Sequence, residues 1–348
     1  MASRAPARVR VRARPRPSAR AGDASRERVI EIQRSRLLAA TLGAIEDLGY
    51  PRVTVAHIAS RARVSRRTFY ELFGNREDCL LAALESVVET MREELLGADV
   101  AEGPWRERVR VGLWTILSFF EREPALADVC VVQALRGGPR VLERRERVLA
   151  ELARVVDEGR REGASRAGRV PPPLTAEGLV GAAFTIVYGR LVRGERAPLT
   201  DLHGELMGMI VLPYLGPAAA RREEGRPAPA LARRQSHAPT VTTSENGAGG
   251  GNDPLAGVPM RLTYRTTLVL EAIATRPGVS NRMVGDLAGI TDQGQISKLL
   301  ARLERLGLAE NMGVGHAKGE RNAWALTALG RQVARRLGAG AREEEAGA

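Results

Sequence analysis

The chain has 348 residues, more than one ordinary compact domain holds, so two or three folded units with connecting segments are expected. Its apolar fraction of 44% is dominated by Ala, Leu and Val and its aromatics reach only 4%, which favours helices and argues against a β-sandwich or barrel. A formal charge of +12 implies a polyanionic partner, nucleic acid ahead of an anionic membrane surface.

Residues 1–29 alternate Arg with Ala, Pro and Val and offer no apolar face, so a disordered basic arm is expected, either touching phosphates or merely solubilising. The N-terminus lacks a secretory apolar stretch and no run reaches the ~20 apolar residues that span a bilayer; no membrane contact and a cytoplasmic location are expected. From Val29 to Leu48, apolar Ile30, Leu37, Leu38, Leu42, Ile45 and Leu48, with Thr41, recur at helical spacing, and Gly49 and Pro51 close the run.

Thr54 then caps a short helix with Val55, Ile58, Ala59 and Ala62 on one buried stripe. After a tight turn at Arg63, Ser65 caps another, with Val64 and Phe69 at the positions of a hydrophobic staple. Two helices joined so tightly cross each other in a helix-turn-helix. The face opposite Val64, Phe69 and Phe73 carries Arg66, Arg67, Thr68 and Tyr70. The Arg and Thr side chains suit base edges, while the Tyr hydroxyl and the helix N-terminus suit phosphates. Thr54 and Ser65 at the helix starts, and Arg76 opening the next helix, complete this expected DNA-binding set.

The stretch "TVAHIASRARVSRRTFYELFGNREDCLLAAL" resembles the TetR family of bacterial transcription regulators. It meets that family's pattern at Thr54, Val55, Ile58, Ala59, Ala62, Val64, Ser65, Thr68, Phe69, Tyr70, Phe73, Glu77 and Leu80. Arg63 stands where the family usually has a turn glycine, and Arg76 replaces a common Lys. A non-glycine residue held left-handed costs roughly 1 kcal/mol.

The resemblance covers residues 30–216 and implies a DNA-binding domain over 30–97 followed by an all-helical ligand-binding and dimerisation domain over 98–216. It also implies that helices near 175–193 and 199–215 form a four-helix bundle with a second subunit, for which their low polarity gives independent support. An unknown small-molecule effector would lie among the preceding helices. Trp105, Trp114, Phe119, Phe120, Phe184 and Tyr188 are the candidates to line its pocket, against plain core packing for each.

From Pro217 to Gly257 the composition collapses to Ala, Pro, Arg, Ser, Thr, Gly and Asn without periodicity, as in a linker. Helical patterning returns over 258–340, before a tail at 341–348. Ser280 caps a helix with Met283, Val284 and Leu287 as its buried stripe. Gly289 turns the chain, and Ile296, Leu299, Leu300, Leu303 and Leu306 stripe the next helix. The opposite face carries Gln293, Gln295, Ser297, Lys298 and Arg302, which can bond bases or phosphates. Two short strands, "LAEN" and "AWALT", flank a glycine-rich wing with Lys318 and Arg321. This region resembles a MarR-like winged helix-turn-helix, a fold that serves either DNA or protein contact.

The expected fold is therefore mostly α, with a small β-wing near its end. Cys79 and Cys130 read as buried small hydrophobes, and His57, His203, His237 and His316 are scattered, so neither metal nor cofactor is expected. No nucleophile–base pair or phosphate loop stands at enzymatic spacing. The expected function is a homodimeric, ligand-responsive regulator, a repressor, on a palindromic operator of double-stranded DNA, with a second tethered reader. The alternatives are a protein-docking winged helix and a nucleoid-binding architectural protein. A linker of about 40 residues spans roughly 35 Å, one turn of DNA, so a tethered reader could add avidity.

Overall fold

A computed structural model of the chain describes residues 19–98, 103–167, 170–229, 263–313 and 322–337. Contacts divide the chain into two compact units, Gln33–Gly257 and Val258–Ala348 with Met1–Ile32. The described residues are mostly helical, and no helix among them is long and apolar enough to cross a membrane.

Helix α1 runs Ala19–Leu48 and so begins inside the segment expected to be a disordered arm. The last proline of that segment is Pro17, and "SARAGDASRER" beyond it consists largely of good helix formers. Residues 1–18 of the expected arm lie outside the described residues. Leu37, Thr41, Leu42 and Ile45 are buried as their spacing predicts, whereas Ile30 is exposed and Val29 takes its place inside. Gly49, at φ 69°, ends the helix and leads into a single 3-10 turn, Tyr50–Arg52.

Three helices then follow with almost no connecting chain: α2 (Val55–Arg61), α3 (Arg66–Leu72) and α4 (Arg76–Gly97). Each opens on a side-chain cap. Thr54 accepts from the His57 amide at 3.2 Å, Ser65 from Thr68 at 3.0 Å and Asn75 from Asp78 at 2.9 Å. Such caps satisfy otherwise orphaned amides and are worth ~1 kcal/mol each. Arg63 adopts φ 54°, so the α2–α3 turn is left-handed at a residue with a Cβ. Phe69, Val64 and Phe73 pack into the core they share with α1 and α4.

The rest of this unit is a helical bundle: α5 (Trp105–Arg122), α6 (Pro124–Val131), α7 (Pro139–Asp157), α8 (Gly159–Ala167), α9 (Thr175–Arg193) and α10 (His203–Leu215). One further helix, α11 (Pro217–Glu224), lies where a linker is expected. Pro217 at its first position and the Ala-Arg-Glu run that follows both favour a helix. It packs close on α10: a Cβ at Gly204 would sit 2.7 Å from the Glu224 carbonyl oxygen. Ala219, Ala220 and Glu223 of this helix are buried.

The second unit contains α12 (Tyr264–Thr275), α13 (Asn281–Ala288) and α14 (Gln293–Arg305), then strands β1 (Ala309–Asn311) and β2 (Trp324–Leu326) and helix α15 (Ala328–Arg336). The strands pair antiparallel, Ala309 opposite Leu326 and Asn311 opposite Trp324, and Val279 bridges to Trp324. Both fall within the two sequence stretches expected to be strands. Gly289 turns α13 into α14 at φ 65°. Val284, Ile296, Leu300 and Leu303 are fully buried. Met283 and Leu287, expected in the buried stripe, are instead 44% and 40% exposed, because α13 turns only Val284, Gly285 and Ala288 inward.

Candidate nucleic-acid interface and effector cavity

On α3 the residues expected to meet DNA are displayed unevenly. Arg66 and Arg67 are exposed, and Tyr70 is 59% exposed with its ring edge-on to Phe69 at 5.5 Å. Arg67 is held by Glu71 at 2.9 Å, an exposed i,i+4 pair worth only a few tenths of a kcal/mol and easily exchanged for a phosphate or base. Thr68 is half-buried, its hydroxyl 2.8 Å from that of Ser65. Thr54 and Ser65 are engaged as caps, which fixes where the α3 face points.

Arg76 has partners within the fold that the sequence reading did not foresee. Its Nη1 donates to the Val53 carbonyl at 2.6 Å and reaches those of Tyr50 and Pro51 at 3.4 Å, while the guanidinium lies 4.8 Å from the Tyr50 ring centroid. The Tyr50 carbonyl already accepts from the Val53 amide at 3.1 Å, and Arg76 Nη1 adds a donor to it and to the carbonyls of Pro51 and Val53. A planar multi-donor group satisfies several at once. Arg76 therefore fastens the turn before α2 to the start of α4 through Nη1, which leaves any phosphate contact to its other donors.

In the second unit Gln293, Lys298 and Arg302 are exposed along α14. Gln295 accepts from Arg265 at 2.7 Å and Ser297 from Asn281 at 3.1 Å. Lys318 and Arg321, expected on the wing, lie outside the described residues. Two features escape the sequence reading. Asp292 caps α14 by accepting from the Gly294 and Gln295 amides at 2.8 and 3.1 Å, and those bonds, chiefly that from Gln295, hold its carboxyl below the usual range. Asn281 accepts from Trp324 Nε1 at 2.6 Å and from Asn322 at 2.9 Å, and Asn322 in turn accepts from Asn311 at 2.9 Å. This chain of amides ties the strand pair to α13 and, through Ser297, to α14. It borders a polar cleft with Arg282 and Gln293. Nothing in the spacing of three scattered asparagines announces it.

The helical bundle holds two adjoining cavities of about 170 and 130 Å³. Leu95, Ile116, Phe120, Leu152 and Phe184 line both. Of the six aromatic candidates, only Phe120 and Phe184 reach them. Trp105 packs edge-on to Tyr214 at 5.2 Å and donates to the Val155 carbonyl at 2.9 Å, and Trp114 stacks edge-on to His203 at 5.3 Å. Phe119 is core, 2% exposed, and Tyr188 packs half-buried against the same core. Aliphatic side chains from α5, α7 and α9 form most of the lining of the first cavity. The second is walled on one side by the distal half of α4, through Leu84, Val87, Val88 and Met91.

Burial sets the chemistry of the remaining ionisable groups. Cys130, on the wall of the second cavity, has its thiol pushed up to about 12, and the buried Cys79 thiol, 3.1 Å from Thr41 Oγ1, is pushed up to about 11. Neither is a thiolate near neutrality, as befits small buried hydrophobes. His203 is buried, its Nε2 3.0 Å from the Arg110 carbonyl oxygen, and burial lowers its pKa.

Residues 37–83 match the family model for bacterial regulatory proteins of the tetR family. The HTH-type transcriptional regulator HbdR of Aromatoleum sp. is 29% identical over 68 residues, which is 20% of this chain and 30% of HbdR. The HTH-type transcriptional regulator BetI of Rhizobium meliloti is 35% identical over 78 residues, 22% of this chain and 38% of BetI. The chain thus matches only about a third of the length of these relatives, both of them transcriptional regulators and not enzymes. Among solved structures, the fatty acid degradation regulator FadR of Bacillus halodurans aligns at 18% identity over 51% of this chain and 97% of its own, with a TM-score of 0.45. The capped helices, the buried Val64–Phe69–Phe73 face and the family match agree that residues 37–83 contain a helix-turn-helix similar to that of the tetR-family regulators.

Proposed function

We propose that the protein is a DNA-binding transcription regulator of the ligand-responsive kind, acting as a homodimeric repressor on a palindromic operator. The observation that carries this reading is the α3 face: Arg66, Arg67 and Tyr70 stand exposed on a helix whose start and successor are fixed by side-chain caps and whose preceding turn is held by backbone bonds. A rigid, cationic helix of this kind suits the major groove. Selection of bound sequences from random DNA, followed by gel shifts at physiological salt, tests it. A regulator enriches a near-palindromic site, and binding without sequence preference leaves only the architectural alternative.

The effector reading is supported by α4, a single helix that runs from the Asn75 cap beside α3 to the wall of the second cavity. A ligand that displaces the distal half of α4 would move α3 with it. In a dimer this changes the spacing of paired recognition helices, which has to match about 34 Å on DNA. For the dimer, α9 exposes Ile186 and Val192 and α10 exposes Leu212. Much of the low polarity of α10, by contrast, is spent within the chain on α5 and α11. The second copy is therefore expected chiefly on α9, and sedimentation equilibrium of the full chain reads the stoichiometry.

The Val258–Ala348 unit, read as a MarR-like winged helix, would act as a second tethered DNA reader through Gln293, Lys298 and Arg302 on α14. The exposed Met283 and Leu287, one turn apart on α13, favour a second reading in which this unit docks a protein. Truncation after residue 229 separates them: a lost reader weakens operator binding, and a lost docking module leaves it unchanged.

A further inference from the structure

The cavities are lined by aliphatic side chains, yet the second also receives a cluster of charge: Arg92, Arg144, Arg145 and Glu151. Arg92 bonds Glu151 at 3.1 Å and Glu89 at 3.3 Å, and Arg144 approaches Glu85 at 3.4 Å. Arg145 differs from both. Among the described residues no carboxylate lies within ion-pair distance of it, its guanidinium rests 5.9 Å from the Phe184 ring centroid, and its Nε is buried with no hydrogen-bond partner. Burial lowers its pKa against the opposing pull of the neighbouring Glu146 carboxylate, as for a cation partly withdrawn from solvent. A buried charged donor without an acceptor is costly, so in native proteins it asks for an explanation. The nearest ring is Phe184, which lines both cavities.

We propose that Arg145 is the anion-pairing residue of the effector site, and that the effector is an amphiphile with one carboxylate, its aliphatic body lying along Phe184, Phe120 and Ile116. A guanidinium presents parallel N–H pairs that match the two oxygens of a carboxylate, and that of Arg145 stands on the wall of the second cavity. An uncharged apolar ligand would leave Arg145 as it is, and a polyanion would meet Glu151 on the same wall. This assignment rests on the reading of the cavities as the effector site.

The test is calorimetric titration of the full chain with dodecanoate and, separately, dodecanol, repeated with Arg145→Gln, Arg145→Lys and Arg144→Gln, each checked for native circular dichroism. Gel shifts of the selected operator run in parallel. The wild type is expected to bind dodecanoate about tenfold or more tighter than dodecanol, the return of one charge-assisted hydrogen-bond pair. Arg145→Gln should abolish that preference while keeping dodecanol affinity. Arg145→Lys should recover part of it, and Arg144→Gln should leave it intact. Equal affinity for acid and alcohol with operator release by both would overturn the role of Arg145 and keep the effector site. A preference that survives Arg145→Gln would overturn it as well. Failure of both compounds to bind and to release DNA would overturn the effector-site reading and the proposal with it.

Discussion

Replacing Glu223 by Ala should unfasten α11. The Glu223 carboxylate is 3% exposed and lies 3.4 Å from Arg110, whose side chain is 2% exposed on α5. Arg106 and Arg226, both more open to solvent, approach it at 3.7 Å. Without the carboxylate, Arg110 keeps only the Pro227 carbonyl as a described partner and is left as a buried charge without a counter-ion. Breaking a buried pair from one side costs about 3 to 5 kcal/mol, and the solvent open to Arg106 and Arg226 argues for the lower end. About 3 kcal/mol corresponds to roughly two orders of magnitude in an opening equilibrium. Hydrogen exchange read by mass spectrometry should therefore show the α11 amides losing protection by about a hundredfold. The double substitution Arg110→Met with Glu223→Leu removes both charges and should restore most of it, since apolar replacements of a buried pair are close to neutral. A loss of less than tenfold in Glu223→Ala, or a double variant no better than the single one, would refute the burial argument.

Other expectations follow from the same bonds. Arg76→Ala should cost about 1 to 3 kcal/mol of stability by orphaning the carbonyls near Val53, with the salt slope of DNA binding unchanged, whereas Arg66→Ala should lower that slope by about 1; thermal melts and gel shifts over a salt series separate the two. Ser65→Ala should lose ~1 kcal/mol of stability together with operator affinity, because it frees both the Thr68 amide and the Thr68 hydroxyl, and melts alongside gel shifts show whether the two fall together. Burial depresses the His203 pKa below its ordinary 6.5, so the folded state binds fewer protons there than the unfolded one. Its contribution is complete above pH 6.5 and is lost as pH falls below that value toward the folded pKa. His203→Gln should flatten the acid side of a urea-midpoint profile.

What the sequence discloses and what it hides divide along the range of the interactions. The caps Thr54, Ser65 and Ser280 act on amides three residues away, so residue type at a helix start suffices to find them. The apolar stripes of α3 and α14 are equally local, and their buried members match the spacing. The fastening role of Arg76 is not legible locally, because a cation at a helix start suits a phosphate or a carbonyl equally and the carbonyls it binds come from 23 to 26 residues upstream. Helix α11 reads as linker for the same reason: its apolar face is only alanine, and the ion pair that anchors it joins residues 113 positions apart. The aromatics of this domain suit a pocket wall or the core equally. Most are instead consumed by partners within the fold, Trp105 by Tyr214 and Trp114 by His203, and the cavity wall is left to aliphatics whose role no local pattern marks.

The central claim is sequence-specific DNA recognition by the exposed face of α3. The most direct measurement is the affinity of the full chain for its selected operator and for scrambled DNA of equal length, at one salt concentration, with Arg66, Arg67 and Tyr70 each replaced by Ala. The account predicts that operator affinity falls by about 1 to 3 kcal/mol wherever a base contact is lost, while binding to scrambled DNA changes far less. Equal losses on operator and scrambled DNA for all three variants would contradict it, reducing α3 to a carrier of positive charge.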